Sequence, residues 1–246
     1  IGVYNYTYAV VHICTIIAAL GTNKYAMREI AYRQHDREAN TKLFSEILVL
    51  RFVCVLVVLL GYGVIVATSQ QYRLIYLLMT MDILAVLVDV SWFFQGLEEF
   101  RITVLRNFTI KISSVLLMFM FVQNSEDVWK YVLIMSAATL LGQLTMWPYL
   151  PQYINNISFR KVNLIPHLKQ SLVFFIPTIA IQVYTNLDKI LIGMISTESQ
   201  VGYYSQAEKI VKLVLTIISS FGTVLMPRMA VLLKEKKWDE VNTNIS

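Results

Sequence analysis

Ionisable side chains interrupt the apolar runs of this sequence. The basic ones are Arg51, Arg106, Lys111, Lys189, Lys209 and Lys212; the acidic ones are Asp82, Asp89, Asp188 and Glu208. A charge in hydrocarbon costs at least about 2.5–3.5 kcal/mol, so such residues face a protein interior or a hydrated cavity, and they tend to pair. Bases outnumber acids here. Lysine and arginine hold carboxylate and phosphate through charge-assisted hydrogen bonds. The surplus therefore fits a cationic cavity for an anionic head group, with the carboxylates tuning it or gating it. The competing assignment is structural: ion pairs that fix helix packing. Spacing allows crossed pairs of Asp188 with Lys209 or Lys212. It also places Asp89 and Arg106 about 6–8 Å inside one membrane boundary, at 1.5 Å per residue. Arg51 enters its own run to a similar depth, and Asp82 and Lys111 lie nearer the midplane.

The elements that must position these residues are long apolar helices. Of the 246 residues, 57% are hydrophobic and 15% charged, against about a quarter charged in a soluble domain. Mean hydropathy is +0.58. Apolar runs near 20 residues match a hydrocarbon core of roughly 30 Å crossed as helix. Segments of about ten alternating residues, the mark of a β-barrel, are absent. The fold class is therefore an all-α polytopic membrane protein. Seven spans are predicted: 1–20, 47–66, 74–94, 102–122, 131–150, 171–195 and 203–226. The sequence begins inside an apolar run without Met, and it reads as a fragment cut at both ends.

The net charge of +5 reports loop topology rather than a nucleic-acid partner. Lys24, Arg28, Arg33, Arg37 and Lys42 crowd the loop 21–46. Arg160, Lys161 and Lys169 lie in 151–170, and Arg228, Lys234, Lys236 and Lys237 in the tail. Between spans on the other side stand only Arg73 and Lys130. The positive-inside rule puts 21–46, 151–170 and the tail in the cytoplasm and residue 1 outside. Trp92, Trp129, Trp147 and Tyr149, near span ends, read as an interfacial aromatic belt. Cys14 and Cys54 lie in apolar runs with no metal-binding spacing. His12 reads as a packing histidine, with a proton relay as the alternative. No phosphate loop, His-Glu-x-x-His or Gly-x-Ser-x-Gly motif occurs, so no cofactor is implied.

The sequence from Ile1 weakly matches that from Val201: Gly2 with Gly202, Tyr4 with Tyr204, Gly21 with Gly222 and Arg28 with Arg228. Two units of six helices in the same membrane sense would follow, a parallel repeat of the kind transporters use.

Three segments carry a resemblance. FFIPTIAIQVYTNLDKILIGMISTESQVGYYSQAEKIVKL, followed by PRMA, resembles the first two helices of the second lobe of Wzx-type polysaccharide flippases. DVSWFFQGLEEFRITVLRN resembles the turn between their fourth and fifth helices, and GTNKYAMREIAYRQHDRE their first long cytoplasmic loop. The resemblance implies the multidrug/oligosaccharidyl-lipid/polysaccharide superfamily fold, two six-helix lobes around a cavity. On that reading, 1–150 is an N-lobe with five of its six helices, 151–170 an inter-lobe linker, and 171–246 the start of the C-lobe. It further implies a flippase that moves undecaprenyl-diphosphate-linked oligosaccharide repeat units across a bacterial inner membrane by alternating access. Its surroundings would be membrane lipids and, as partners, polysaccharide polymerase and chain-length proteins. A drug/cation antiporter of the same superfamily would call for an acid-rich cavity. A glycosyl or phosphoglycosyl transferase would call for clustered cytoplasmic aspartates, whereas Asp36 and Asp239 are isolated.

Overall fold

The structure is a computed structural model that describes residues 2–155 and 162–234, with side chains for 2–124, 126–155 and 162–216. Arg160, Lys161, Lys236, Lys237 and Asp239 lie outside the described residues, as do the side chains of Arg228 and Lys234. The described chain is helical throughout, without strands: α1 (Gly2–Ala19), α2 (Thr22–Tyr32), α3 (Arg37–Thr68), α4 (Arg73–Val88), α5 (Ser91–Gly96), α6 (Phe100–Phe121), α7 (Val128–Leu144), α8 (Leu164–Ile195) and α9 (Glu198–Lys234). Among the described residues, five stretches are long and apolar enough to cross a membrane: Gly2–Tyr32, Arg37–Thr68, Arg73–Gly96, Phe100–Phe121 and Leu164–Ile195. With 17 residues, α7 spans about 26 Å, the short end of what a crossing needs. The protein is an all-α, polytopic membrane protein; the predicted spans 131–150 and 203–226 correspond to α7 and α9, which are not among those five stretches.

The region 21–46, predicted as a loop, is mostly helix. Its polar residues suggested an excursion into water, but α2 buries Thr22, Tyr25, Ala26 and Ile30, one helical face. Asp36 then starts α3, its Oδ1 accepting the backbone N–H of Ala39 at 2.9 Å. At 32 residues, α3 runs about 48 Å, longer than the roughly 30 Å hydrocarbon core, so its polar first turns belong beyond that core. Between α1 and α2 the chain turns through left-handed backbone at Leu20 (φ 45°) and Gly21 (φ 70°). A Cβ at Gly21 would come within 2.5 Å of the Ser171 carbonyl oxygen, so only glycine lets α8 cross there.

The third predicted span is also broken. Its helix α4 ends at Val88, and α5 begins at Ser91. No proline or glycine marks this break. It rests instead on Asp89, described below. Trp92, predicted as an interfacial residue, is 2% exposed. It packs with Phe44 (ring centroids 5.7 Å) and Phe93 (5.9 Å) in a core shared by α2, α3 and α5. Trp129 and Tyr149, by contrast, are exposed.

A second core joins α1, α3, α4 and α7 through Val11, Val55, Tyr76, Met79, Ile83 and Val132. Helix α1 packs on α3 and α4 on one side and on α8 and α9 on the other. It therefore forms the wall common to both groups. At the matched glycines α1 and α9 nearly touch: a Cβ on Gly202 would lie 3.5 Å from the Gly2 Cα. Helix α6 buries only Thr103 and Ser114, and its exposed Phe108, Leu116 and Phe119 suit a hydrocarbon surround.

Candidate functional site

The break at Asp89 collects one predicted pair of charges. Arg51, on α3, is 1% exposed. Its Nε donates to Thr22 Oγ1 at 2.9 Å. Nη1 donates to the carbonyl oxygens of Val86 (3.3 Å) and Asp89 (2.5 Å), and Nη2 to Asn23 Oδ1. The Asp89 carboxylate stands 4.0 Å from Nη1, accepts Asn23 Nδ2 at 3.2 Å, and accepts the Ser91 N–H at 2.9 Å and hydroxyl at 2.5 Å. The guanidinium also lies over the Trp92 ring, 5.5 Å from its centroid. Four helices meet at this neutralised knot. Asp89 therefore pairs with Arg51 rather than with Arg106, and it sits at a helix break rather than within a span.

A different set of charges meets between α1, α7, α8 and α9. Each helix contributes one face: Tyr4, Asn5, Tyr8 and His12 from α1; Tyr131 and Met135 from α7; Gln182, Thr185, Asn186 and Lys189 from α8; Ser205, Glu208, Lys209 and Lys212 from α9. The spacings i, i+3, i+4 and i+7 on α8 and α9 are those of a single helical stripe. Together they enclose a cavity of about 410 Å3. Lys189 Nζ lies 2.7 Å from Glu208 Oε2, and Lys212 Nζ 2.6 Å from Glu208 Oε1. Lys209 has no ion-pair partner among the described residues. Three ammonium groups thus stand against one carboxylate, with two of them paired to it, which leaves the cavity cationic. The predicted crossed pairs of Asp188 are not formed. Neighbouring residues on a helix point about 100° apart, so while Lys189 faces the cavity Asp188 faces away and accepts the Tyr204 hydroxyl at 2.7 Å.

The remaining predicted residues stand apart. Asp82 accepts the Ser136 hydroxyl at 2.6 Å and borders a small cavity of about 150 Å3 with Tyr8, Thr15, Thr139, Gln143 and Asp89. Among the described residues it has no cationic partner. Arg106 lines a separate cleft of about 480 Å3 with Glu99, Arg101 and Tyr149, and its buried Nε has no hydrogen-bond partner among the described residues. Lys111 is exposed on α6 and lines none of these cavities. His12, read from sequence as a packing residue, stacks on Tyr8 (5.4 Å) and meets Gln182 Oε1 at 3.3 Å.

Sequence reasoning missed two polar ties at opposite ends of α8. At its start, the His167 ring joins the Tyr25 hydroxyl (2.8 Å) to the Glu46 carboxylate (2.8 Å), and Glu46 also accepts the Asn163 N–H at 3.2 Å. Beyond its other end, the Glu198 carboxylate accepts the Tyr72 hydroxyl and Gln71 Nε2. Burial, reinforced by that carboxylate, pushes the Tyr72 hydroxyl up to about 12.

A family model described as "Polysaccharide biosynthesis protein" matches residues 1–233. The chain belongs to this family. Two relatives carry the name "Putative O-antigen transporter". The one from Shigella dysenteriae is 25% identical over 227 residues, covering 90% of this chain and 57% of the relative. The one from Escherichia coli K12 is 21% identical over 234 residues, covering 93% and 56%. The chain thus spans about half the length of the curated relatives it matches. No solved structure matches it. All the residues that line the lysine cavity fall within the family match.

Proposed function

We propose that this polysaccharide biosynthesis family member acts, within a longer transporter, as a flippase for undecaprenyl-diphosphate-linked oligosaccharide repeat units in a bacterial inner membrane. The observation that carries the reading is the cavity lined by Lys189, Lys209 and Lys212, in which Lys189 and Lys212 share the carboxylate of Glu208 and Lys209 has no ion-pair partner among the described residues. A diphosphate crossing the bilayer needs compensating charge at every depth, since an unpaired ion in hydrocarbon costs several kcal/mol. The lysines supply it over the part of the path nearest the Tyr72–Glu198 end. Lys209 offers a free ammonium, and an arriving phosphate competes with Glu208 for Lys189 and Lys212. The lipid tail stays in the bilayer.

Helices α1–α7 form the N-lobe in this reading and α8 and α9 begin the C-lobe. The regions 21–46 and 151–170 and the tail face the cytoplasm. Alternating access then opens one tie at a time: Tyr25–His167–Glu46 at the cytoplasmic end of α8, Tyr72–Glu198 at the outer end. Arg51 and Asp89 hold the α4–α5 break and do not touch substrate. The acid-rich cavity that an antiporter would call for is not what surrounds Lys209.

The test uses the full-length protein in a flippase-null strain. Lys209→Ala and Lys189→Ala, at wild-type expression, should each reduce surface polysaccharide. Wild-type output from both variants and from Lys212→Ala would refute the reading.

A further inference from the structure

The lysines account for one end of the cavity's chemistry, and the α1 wall opposite them is of another kind. Tyr4, Tyr8 and His12 recur every four residues, so their rings rise along one face of the helix. Tyr4 and Tyr8 lie 5.4 Å apart at 20°, Tyr8 and His12 5.4 Å apart at 12°, and Tyr131 from α7 meets the Tyr4 edge at 4.9 Å. Contact between stacked carbons needs about 3.5–4 Å, so rings 5.4 Å apart are offset and leave part of each face uncovered. Tyr8 is 36% exposed. Next to this ladder two polar atoms have nothing to bond to. Asn5 is 8% exposed and Ser205 1%. Both line the cavity, yet Asn5 Nδ2 and Ser205 Oγ are buried without a partner among the described residues. A buried group left unpaired costs about 1–3 kcal/mol, a cost that a hydroxyl-bearing ligand would remove.

We infer that the α1 wall is a sugar-binding platform, on which a pyranose ring of the substrate packs its C–H face against Tyr8 while its hydroxyls bond Asn5 and Ser205. A sugar ring has both surfaces the wall calls for: slightly positive C–H groups for the negative faces of the aromatic rings, and hydroxyls that donate and accept at its rim. A bare diphosphate accepts hydrogen bonds but has no C–H face for the rings, and an acyl chain has C–H groups but no hydrogen-bonding rim. The platform and the lysines line one cavity, so a diphosphate held by Lys209 places the sugar linked to it along α1. This inference rests on the flippase reading and deepens it.

The experiment measures binding to full-length protein in nanodiscs with two probes: undecaprenyl diphosphate, and the same lipid carrying one oligosaccharide repeat unit. Wild type should bind the glycosylated lipid roughly tenfold more tightly. Tyr8→Ala should abolish that preference by lowering affinity for the glycosylated lipid to that for undecaprenyl diphosphate, while Tyr8→Phe, which keeps the ring, retains the preference. Asn5→Ala should lower the preference without lowering the melting temperature of the ligand-free protein, because the amide it removes has no partner there. A wild type that binds both lipids equally, or a Tyr8→Ala that weakens both alike, overturns the platform and leaves the flippase reading standing. A wild type that binds neither lipid overturns both.

Discussion

Replacing Arg51 by Ala asks whether this arginine is a structural tie or part of a substrate cavity. The guanidinium is 1% exposed and 4.0 Å from the Asp89 carboxylate. At that distance the attraction is about 4 kcal/mol with an effective dielectric of 20. Against it stands the loss of water by both ions, several kcal/mol each, so the intact pair contributes little beyond what an apolar pair would. Removing one partner is different. It leaves the Asp89 carboxylate buried without its counter-ion, the Val86 carbonyl without its side-chain donor and the Asp89 carbonyl with only the Trp92 N–H, and costs about 3–5 kcal/mol. The double variant Arg51→Met/Asp89→Asn removes both charges, and should recover more than half of that loss. Arg51→Lys keeps the charge but loses the fork that reaches Thr22, Val86, Asp89 and Asn23 together, so it should fall between. The assay is thermal or denaturant unfolding of the full-length protein in nanodiscs. If Arg51→Ala unfolds like wild type yet loses transport, Arg51 acts on substrate and the reasoning fails. If the double variant is no better than the single, the penalty does not come from an orphaned charge.

Two further predictions concern the ends of helices. Glu46→Ala breaks the Tyr25–His167–Glu46 tie and should raise labelling of a Gln182→Cys probe from the cytoplasmic side by severalfold; unchanged labelling would show that this tie does not close that end. Asp127 stands between α6 and α7, where the Lys130 ammonium at 2.6 Å and the N–H groups of Gln123 and Asn124 hold its carboxyl below the usual range. A depressed folded value means stability present above the unfolded carboxylate pKa, about 3.9, and lost as pH falls through the folded value. Asp127→Asn should therefore melt below wild type at neutral pH, with the gap closing below about pH 4; a gap constant across that range would contradict the assignment.

Fold class was legible because hydropathy and run length are properties of composition, and the described chain is helical through each predicted span, terminal residues aside, except at the break beside Asp89 and past the end of α7. What composition could not convey was where helices end. The limits of α3 depend on Asp36 capping a polar turn, and the end of α4 on Arg51 reaching carbonyls from another helix. Neither leaves a proline or glycine in the sequence. The lysine cluster was legible residue by residue, since Lys189, Lys209, Lys212 and Glu208 each interrupt an apolar run. Their pairing was not, because one residue turns the helix by about 100° and decides between Asp188 and Lys189. Asn5 and Ser205 went unnoticed, as neutral polar residues are common in such helices. Counting polar positions at i, i+3, i+4 and i+7 would have found the stripes of α8 and α9, and with them Ser205. Trp92 misled because nearness to a span end does not separate a buried ring from an interfacial one.

The positions of the two ties bear on how the cavity would open. From His167 to Lys189 the rise along α8 is about 33 Å, and from Lys189 to the end of that helix about 9 Å. The lysine cluster therefore lies close to the Tyr72–Glu198 tie and far from the His167 tie. On the flippase reading, a phosphate bound at Lys189 draws that lysine away from Glu208, and Glu208 shares α9 with Glu198, ten residues or roughly 15 Å away along the helix. A rotation or shift of α9 that lets Glu208 follow its lysines also moves Glu198 relative to Tyr72. The near tie is thus mechanically coupled to the anion, whereas the far one must respond through the whole length of α8. Substrate binding should accordingly loosen the Tyr72 end first, and a Tyr72→Phe variant should weaken the dependence of that opening on substrate without altering the accessibility of the His167 end.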